Sequence, residues 1–224
     1  MKLNDFFDKI FVINLERRPD RLEKIKELSN KIEFEYDIFP AVDGKKIDRD
    51  ELIEGRKFQI ESNEFYRDIN DHFLGQLGCI LSHLRLIKHC RDNNIKNVLI
   101  LEDDVEFSDE FQSRFDNFTL NFNQEWDMIY FSGSLIETSD EFNSYSKLLT
   151  CHTTHSYAVN SNIYDYLIDK LEKEMLSKPV DVVYSQLHSN IKSWILIPFL
   201  TYQSDGFSDI QNSFVDYLSI KKYL

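Results

Sequence analysis

Three carboxylates stand side by side in Glu102-Asp103-Asp104, directly after the apolar run Leu99-Ile100-Leu101. Along an extended chain alternate side chains share a face, so Glu102, Asp104 and Glu106 point one way and Asp103 the other. Two such carboxylates on one face, at the mouth of a buried strand, repel unless a cation or a cationic ligand lies between them. Hard divalent ions such as Mg²⁺ and Mn²⁺ take oxygen ligands of this kind and bridge to substrate phosphates. The alternative is a solvated acidic turn. Against it, the preceding apolar run sets the acids at the C-terminal end of a strand, where open α/β sheets bind ligands.

Composition narrows the partners. The chain has 224 residues, a net charge of −13, 42% hydrophobic residues and 14% aromatics. That is long enough to bury a real core and too apolar for disorder. The acidic balance excludes a general phosphate-backbone binder, so no nucleic-acid partner is expected. An acidic protein that takes an anionic ligand needs a bound cation or a local arginine cluster, and Arg17, Arg18 and Arg21 supply the second. Three cysteines, Cys79, Cys90 and Cys151, show no paired spacing and no disulfide framework. Cys79, His83, Leu86 and Cys90 form a helical stripe that could be imagined as a zinc site, but a buried helix face explains it better. No secretory apolar region opens the chain and no apolar run is long enough to span a bilayer. A soluble protein, cytoplasmic or peripheral to a membrane, is expected.

The elements that must position these residues alternate between strand and helix. Ile10-Phe11-Val12-Ile13 is continuously apolar, as a strand covered on both faces should be. Pro19 opens a helix with Leu22, Ile25 and Leu28 on one side. Phe34 to Phe39 is expected as a strand, residues 48–73 as a loop with helical pieces, and Leu74 to Cys90 as a helix. Val98 to Leu101 is then the central strand feeding the acids. Beyond it, Ser108 is expected to cap a helix whose first turn holds Asp109 and Glu110. Strands are expected at Met128–Phe131, Ser156–Val159 and Trp194–Leu200, and helices after a Ser161 cap and over Val182–Ile191. One domain is the economical organisation.

Four segments stand in order along the chain: Phe11 to Arg21, with Asn14-Leu15-Glu16-Arg17-Arg18-Pro19-Asp20, then Phe39-Pro40-Ala41-Val42-Asp43-Gly44, the glycine-bearing helix start from Leu74 to His83, and the acidic segment Leu99–Val105. In content and order they resemble glycosyltransferase family 25, which includes bacterial lipooligosaccharide galactosyltransferases and collagen hydroxylysine galactosyltransferases, the first segment being similar to the family's N-terminal signature. The resemblance implies a nucleotide-sugar half over about 1–110 and an acceptor half over about 111–224. Thr154–Val159, Pro179-Val180-Asp181 and Ser208-Asp209-Ile210 are similar to later family segments, more weakly.

The resemblance implies an α/β fold of GT-A type: a Rossmann-like, mostly parallel sheet flanked by helices, with a divalent metal and a nucleotide-sugar donor. The metal would be Mn²⁺ or Mg²⁺, held by Asp104 as direct ligand and Glu102 directly or through water. Asn14, Leu15, Arg18 and Arg21 would lie beside the nucleotide, where a guanidinium fork suits phosphate; the alternative for the arginines is ion pairing that fixes the loop. Asp43 would accept from uracil or ribose, or else only stabilise its turn. Ser82 and His83 would lie on the helix beneath the donor, and Asp103 is grouped with these donor-side residues. An inverting transfer needs a base at the acceptor hydroxyl. Asp181 is the first candidate, helix capping its alternative, with Asp209 and His155 next as base or late metal ligand. UDP-galactose is the donor implied, UDP-glucose following closely. The acceptor would be a hydroxyl of a glycan, a lipid-linked sugar or hydroxylysine. Two rival classes share the acidic motif. A phosphotransfer or nucleotidyl-transfer enzyme would want a phosphate-cradling glycine loop, for which Gly75 and Gly78 are too sparse. A catalytically silent sugar-binding domain would keep the fold, although the motif acids are intact.

Overall fold

In the computed structural model, which describes residues 1–50, 70–210 and 213–216, eight strands form one sheet with helices on both faces. Most of the expected 48–73 loop lies outside the described residues. The first half runs α1 (Leu3–Phe6), β1 (Lys9–Asn14), α2 (Pro19–Ile32), β2 (Asp37–Pro40), α3 (Asp71–Asp92), β3 (Asn97–Glu102) and β4 (Val105–Phe107). The second half runs α4 (Phe111–Asn121), β5 (Met128–Tyr130), β6 (Ser134–Glu141), β7 (Tyr145–His152), β8 (Ser156–Asn160), α5 (Tyr164–Glu174), α6 (Val180–Ser185) and β9 (Ser193–Leu196). Short strands β10 (Thr201–Gln203), β11 (Gly206–Ser208) and β12 (Ser213–Val215) follow.

The apolar runs become two adjacent strands inside the sheet, β1 and β3. Every position of β1 from Ile10 to Asn14 is buried, as is β3 from Val98 to Leu101. Their side chains alternate between two cores. Phe11, Ile13, Val98 and Ile100 pack with Leu77, Ile80 and Leu84 of α3 and with Leu167 and Leu171 of α5. Ile10, Val12, Leu99 and Leu101 pack with Ile25 of α2 and with Phe111, Phe115 and Phe118 of α4. Covering both faces is the reason these strands read as unbroken hydrophobic runs.

The strand order is β2-β1-β3-β8-β5-β9-β7-β6. β1 is parallel to β2 and β3, and β5 to β9, while the β3–β8, β5–β8, β7–β9 and β6–β7 pairs are antiparallel. Taken strand by strand, β7 and β8 run against the common direction of the rest, which makes the sheet mostly parallel in orientation. Strands from both ends of the chain share it.

Several local expectations are corrected. β2 starts at Asp37, because Phe34 turns into the core against Phe107. Ser108 does not cap α4: its carbonyl accepts from the Phe111 N–H, and Asp109 and Glu110 form the turn before the helix. Asn160, not Ser161, caps the short 3₁₀ turn leading to α5, its side chain accepting from the Asn162 N–H. The span Val182–Ile191 is helical only to Ser185, with a further 3₁₀ turn at His188–Asn190. The run Trp194–Leu200 is strand only to Leu196, the end of β9; Ile197 to Leu200 carry no strand, and β10 begins beyond the run at Thr201. The β6–β7 hairpin was not anticipated. Its register shifts between Ser134 and Glu137, Glu137 and Thr138, and Ser139 and Glu141, which erases the period-two pattern that marks a strand.

Candidate active site

The acids sit where β3 ends. Glu102 closes the strand, Asp103 and Asp104 turn the chain, and β4 pairs antiparallel with β10, setting Val105 opposite Gln203. That pairing brings the late chain onto the turn: Gln203 Nε2 donates to Asp104 Oδ2 (3.1 Å), and the Ser204 N–H donates to the Asp104 carbonyl (2.8 Å). Asp103 is engaged on the other side, by Asn14 Nδ2 (2.7 Å) and Arg21 Nη1 (2.6 Å). Arg21 also reaches Asp104 Oδ2 at 3.3 Å. Glu102 Oε1 accepts from the Thr154 hydroxyl (2.6 Å) and lies 3.3 Å from His83 Nε2.

The surroundings drive the three acids apart. Burial would raise Glu102, but the His83 ring and the Thr154 hydroxyl outweigh it and hold this carboxyl below the ordinary range. Burial raises Asp103 in spite of Arg21 and Asn14. Burial, then the neighbouring Glu102 charge, pushes Asp104 up to about 7. Asp104 Oδ1 is moreover a buried oxygen with no hydrogen-bond partner. A buried carboxylate oxygen left unpaired beside a second carboxylate is costly. A divalent cation placed there removes both burdens, so Glu102 and Asp104 fit the metal that the sequence implies.

These acids border a cavity of about 710 Å³. Its rim on one side is an arginine cluster crossed by the late chain. Arg17 Nε donates to Asp43 Oδ2 (2.9 Å), while Arg17 Nη1 and Arg18 Nη1 each donate to a different oxygen of Asp209 (2.5 Å). Arg21 Nη2 holds the Phe207 carbonyl (2.9 Å). Asp209 is buried in part, which would raise it, but the two guanidiniums win and hold it below the usual carboxylate range. Next to this cluster, and joined to it through Asp43, the loop Ala41–Gly44 lies directly on α3. A Cβ on Gly78 would stand 2.6 Å from the Val42 carbonyl oxygen, and one on Gly44 2.1 Å from that of Leu74. Only glycine at both positions allows this approach. Ser82 completes the junction, donating to the Gly78 carbonyl and accepting from the Val42 N–H.

Of the expected site residues, the structure brings Leu15, Arg21, Asp43, Ser82, His83, Glu102, Asp103, Asp104, Asp181 and Asp209 to the cavity lining. It places three elsewhere. Asn14 is committed to Asp103 and to the Arg18 carbonyl. Arg18 is bound between Asp20 and Asp209. His155 is enclosed against the Ser132 hydroxyl at 2.6 Å, and burial lowers its ring to about 4. None of the three borders the cavity. Asp43 is engaged as the cap of the Gly44–Lys46 turn and by Arg17. Asp181 accepts from the Thr153 N–H (3.2 Å) and the Val182 N–H (2.9 Å), and His152 Nδ1 lies 3.8 Å away. Sequence reasoning missed Arg17 as the bridge between Asp43 and Asp209, and missed Thr154 and Gln203 as partners of the acids. The pairing of β3 with β8 and of β4 with β10 brings the last two there, and no local motif announces it.

The family described as "Glycosyltransferase family 25 (LPS biosynthesis protein)" matches residues 7–183, and the chain belongs to it. A "Glycosyltransferase 25 family member" of Drosophila pseudoobscura pseudoobscura is 37% identical over 142 residues, 60% of this chain and 22% of that protein. Human "Procollagen galactosyltransferase 2" is 35% identical over 130 residues, 55% of this chain and 20% of that protein. The chain thus spans about a fifth of the length of these relatives. A solved glycosyltransferase involved in glycosylation of the major capsid of PBCV-1 aligns with a TM-score of 0.43 at 9% identity, over 91% of this chain and 96% of that one. Among the described residues, no helix is long and apolar enough to cross a membrane.

Proposed function

We propose that this chain is a metal-dependent glycosyltransferase that moves a hexose from a UDP-sugar to an acceptor hydroxyl, with inversion at the anomeric carbon. The observation that carries the reading is the unpartnered buried oxygen of Asp104 beside Glu102, on a cavity that Arg17 and Arg21 also line. Acids for a cation and guanidiniums for a diphosphate face one volume. Glu102 and Asp104 would hold Mn²⁺ or Mg²⁺. Bound there, the ion would neutralise negative charge developing on the departing diphosphate. Arg21 and Arg17 would bind and orient the phosphates, and the Ala41–Gly44 loop would border the nucleoside.

Asp181 is the proposed base. It lines the same cavity and would take the proton of the acceptor hydroxyl as that oxygen attacks the sugar. The two backbone N–H groups fix its carboxylate in place. Galactose is the hexose favoured by the galactosyltransferase relatives, with glucose second. A glycan, a lipid-linked sugar or hydroxylysine would supply the hydroxyl. Calorimetry of UDP with and without Mn²⁺, followed by a screen of UDP-sugars for released UDP, tests the proposal. Metal-dependent UDP binding and slow release of UDP from UDP-galactose or UDP-glucose are expected. UDP binding without any turnover, even with an acceptor panel, would leave a silent binding domain. No UDP binding at all would refute the nucleotide-sugar reading.

A further inference from the structure

The helical stripe Cys79–His83–Cys90 does not stay together in the fold. Cys90 is fully buried in the core, its thiol against Tyr164. Cys79 and His83, one turn apart on α3, line the cavity instead, and Glu102 reaches them from the end of β3. A sulfur, an imidazole nitrogen and a carboxylate oxygen from these three residues lie within 4.8 Å of one another. We propose that Cys79, His83 and Glu102 form a binding site for a thiophilic divalent cation of the Zn²⁺ type, different in ligand chemistry from the hard-cation site at Asp104.

The donor set decides the class of ion. Thiolate, imidazole and carboxylate are together the ligands of Zn²⁺, whereas Mg²⁺ and Mn²⁺ favour oxygen. The residues behind the ligands fit as well. His83 Nδ1 meets the Tyr157 hydroxyl at 2.7 Å, which fixes the ring and leaves Nε2 toward Glu102 at 3.3 Å. The Thr154 hydroxyl holds Glu102 Oε1 at 2.6 Å. Outer partners of this kind orient metal ligands and set their basicity. Tetrahedral bonds of about 2.0–2.3 Å place donor atoms roughly 3.3–3.7 Å apart. The His83–Glu102 pair already has that spacing, and the Cys79 sulfur lies within 4.8 Å of both.

Charge balances too. On binding, the Cys79 thiol releases its proton to solvent, and one thiolate with one carboxylate neutralises a divalent ion. Three protein ligands facing a cavity leave a fourth coordination position for water or a ligand oxygen. Glu102 has two oxygens and can serve this ion and a hard cation at Asp104 together. The site does not depend on the transferase reading.

Co²⁺ titrated into the metal-stripped full chain, without nucleotide, tests it. A sulfur-to-cobalt charge-transfer band in the near ultraviolet and strong visible tetrahedral bands should saturate at one ion per chain. Zn²⁺ should bleach them, and excess Mg²⁺ should not. Cys79→Ser should abolish the near-ultraviolet band. His83→Gln should weaken Co²⁺ binding at least tenfold, and Thr154→Val about tenfold. Asp104→Asn should keep the band even where it loses Mn²⁺-dependent UDP binding, which separates this site from the catalytic proposal. In the wild-type chain, which needs no mutant to fold, Zn²⁺ should protect Cys79 from alkylation as mapped by mass spectrometry. No thiolate band in the wild type, a band that survives Cys79→Ser, or alkylation of Cys79 unchanged by Zn²⁺ would each overturn the proposal.

Discussion

Asp104→Asn should make the metal-free protein more stable while it destroys the metal response. The Asp104 carboxyl moves from 3.8 to about 7 on folding, through burial and the charges of Glu102 and Asp103. At 1.36 kcal/mol per pH unit, the folded state disfavours the ionised form by on the order of 4 kcal/mol. The sign follows from proton counting. Between these two values the folded chain keeps a proton that the unfolded chain has released, so this group's contribution falls as pH rises and levels off above about pH 7. Asparagine carries no such charge, and its amide oxygen can still accept from Gln203. Urea unfolding followed by circular dichroism, in EDTA, should show the variant ahead of wild type by about 1–2 kcal/mol at pH 5 and by on the order of 4 kcal/mol at pH 8. The difference between the two proteins removes the contributions of other groups, such as the depressed histidines His155 and His188, that also titrate across this range. With Mn²⁺ at a hundred times its dissociation constant, wild type should gain about 2.7 kcal/mol and the variant nothing through this ligand. A variant no more stable than wild type at pH 8, or a gap that does not change with pH, would refute the electrostatic account of the site.

Three further outcomes are expected. Asp181→Asn should cut turnover by about a hundredfold or more, the usual scale of general-base help, with UDP affinity near wild type in calorimetry; a loss under tenfold would leave Asp181 as a helix-start residue. Gly78→Ala sets a Cβ 2.6 Å from the Val42 carbonyl oxygen, with backbone on both sides of the contact. It should cost about 1–3 kcal/mol in urea unfolding and weaken UDP binding, because the Ala41–Gly44 loop must lift; unchanged stability would disprove the close junction. Asp209→Asn leaves Arg17 and Arg18 without their shared carboxylate. A loss of about 1–3 kcal/mol is expected at pH 7, and the gap should close as wild type is taken below the carboxylate range, because a lowered acid stabilises only while ionised. A gap constant with pH would place the effect in packing instead.

What the sequence disclosed, and what it hid, follows the range of each interaction. β1 and β3 were legible because burial on both faces leaves an unbroken apolar run, and α5 because Leu167, Ile168 and Leu171 keep helical period. Backbone alternation did not settle the acids: Asp103 and Asp104 stand in the turn after β3, and although Asn14 holds the first and Gln203 the second, Arg21 reaches both. Caps were less legible. Ser108 and Ser161 have the right chemistry, yet a two-residue shift at one and the adjacent Asn160 at the other changed the start. The β6–β7 hairpin was hidden by its own bulges. The contacts least legible were those with no local signature. Arg17 and Arg18 lie 192 and 191 residues from Asp209, and Thr154 lies 52 from Glu102. The same distinction explains the cysteine stripe. Helical spacing correctly joins Cys79 to His83, but spacing cannot supply a ligand from another element. Glu102 arrives from β3 because the sheet lays that strand beside α3, and a stripe that reads as core in one dimension becomes a donor set in three.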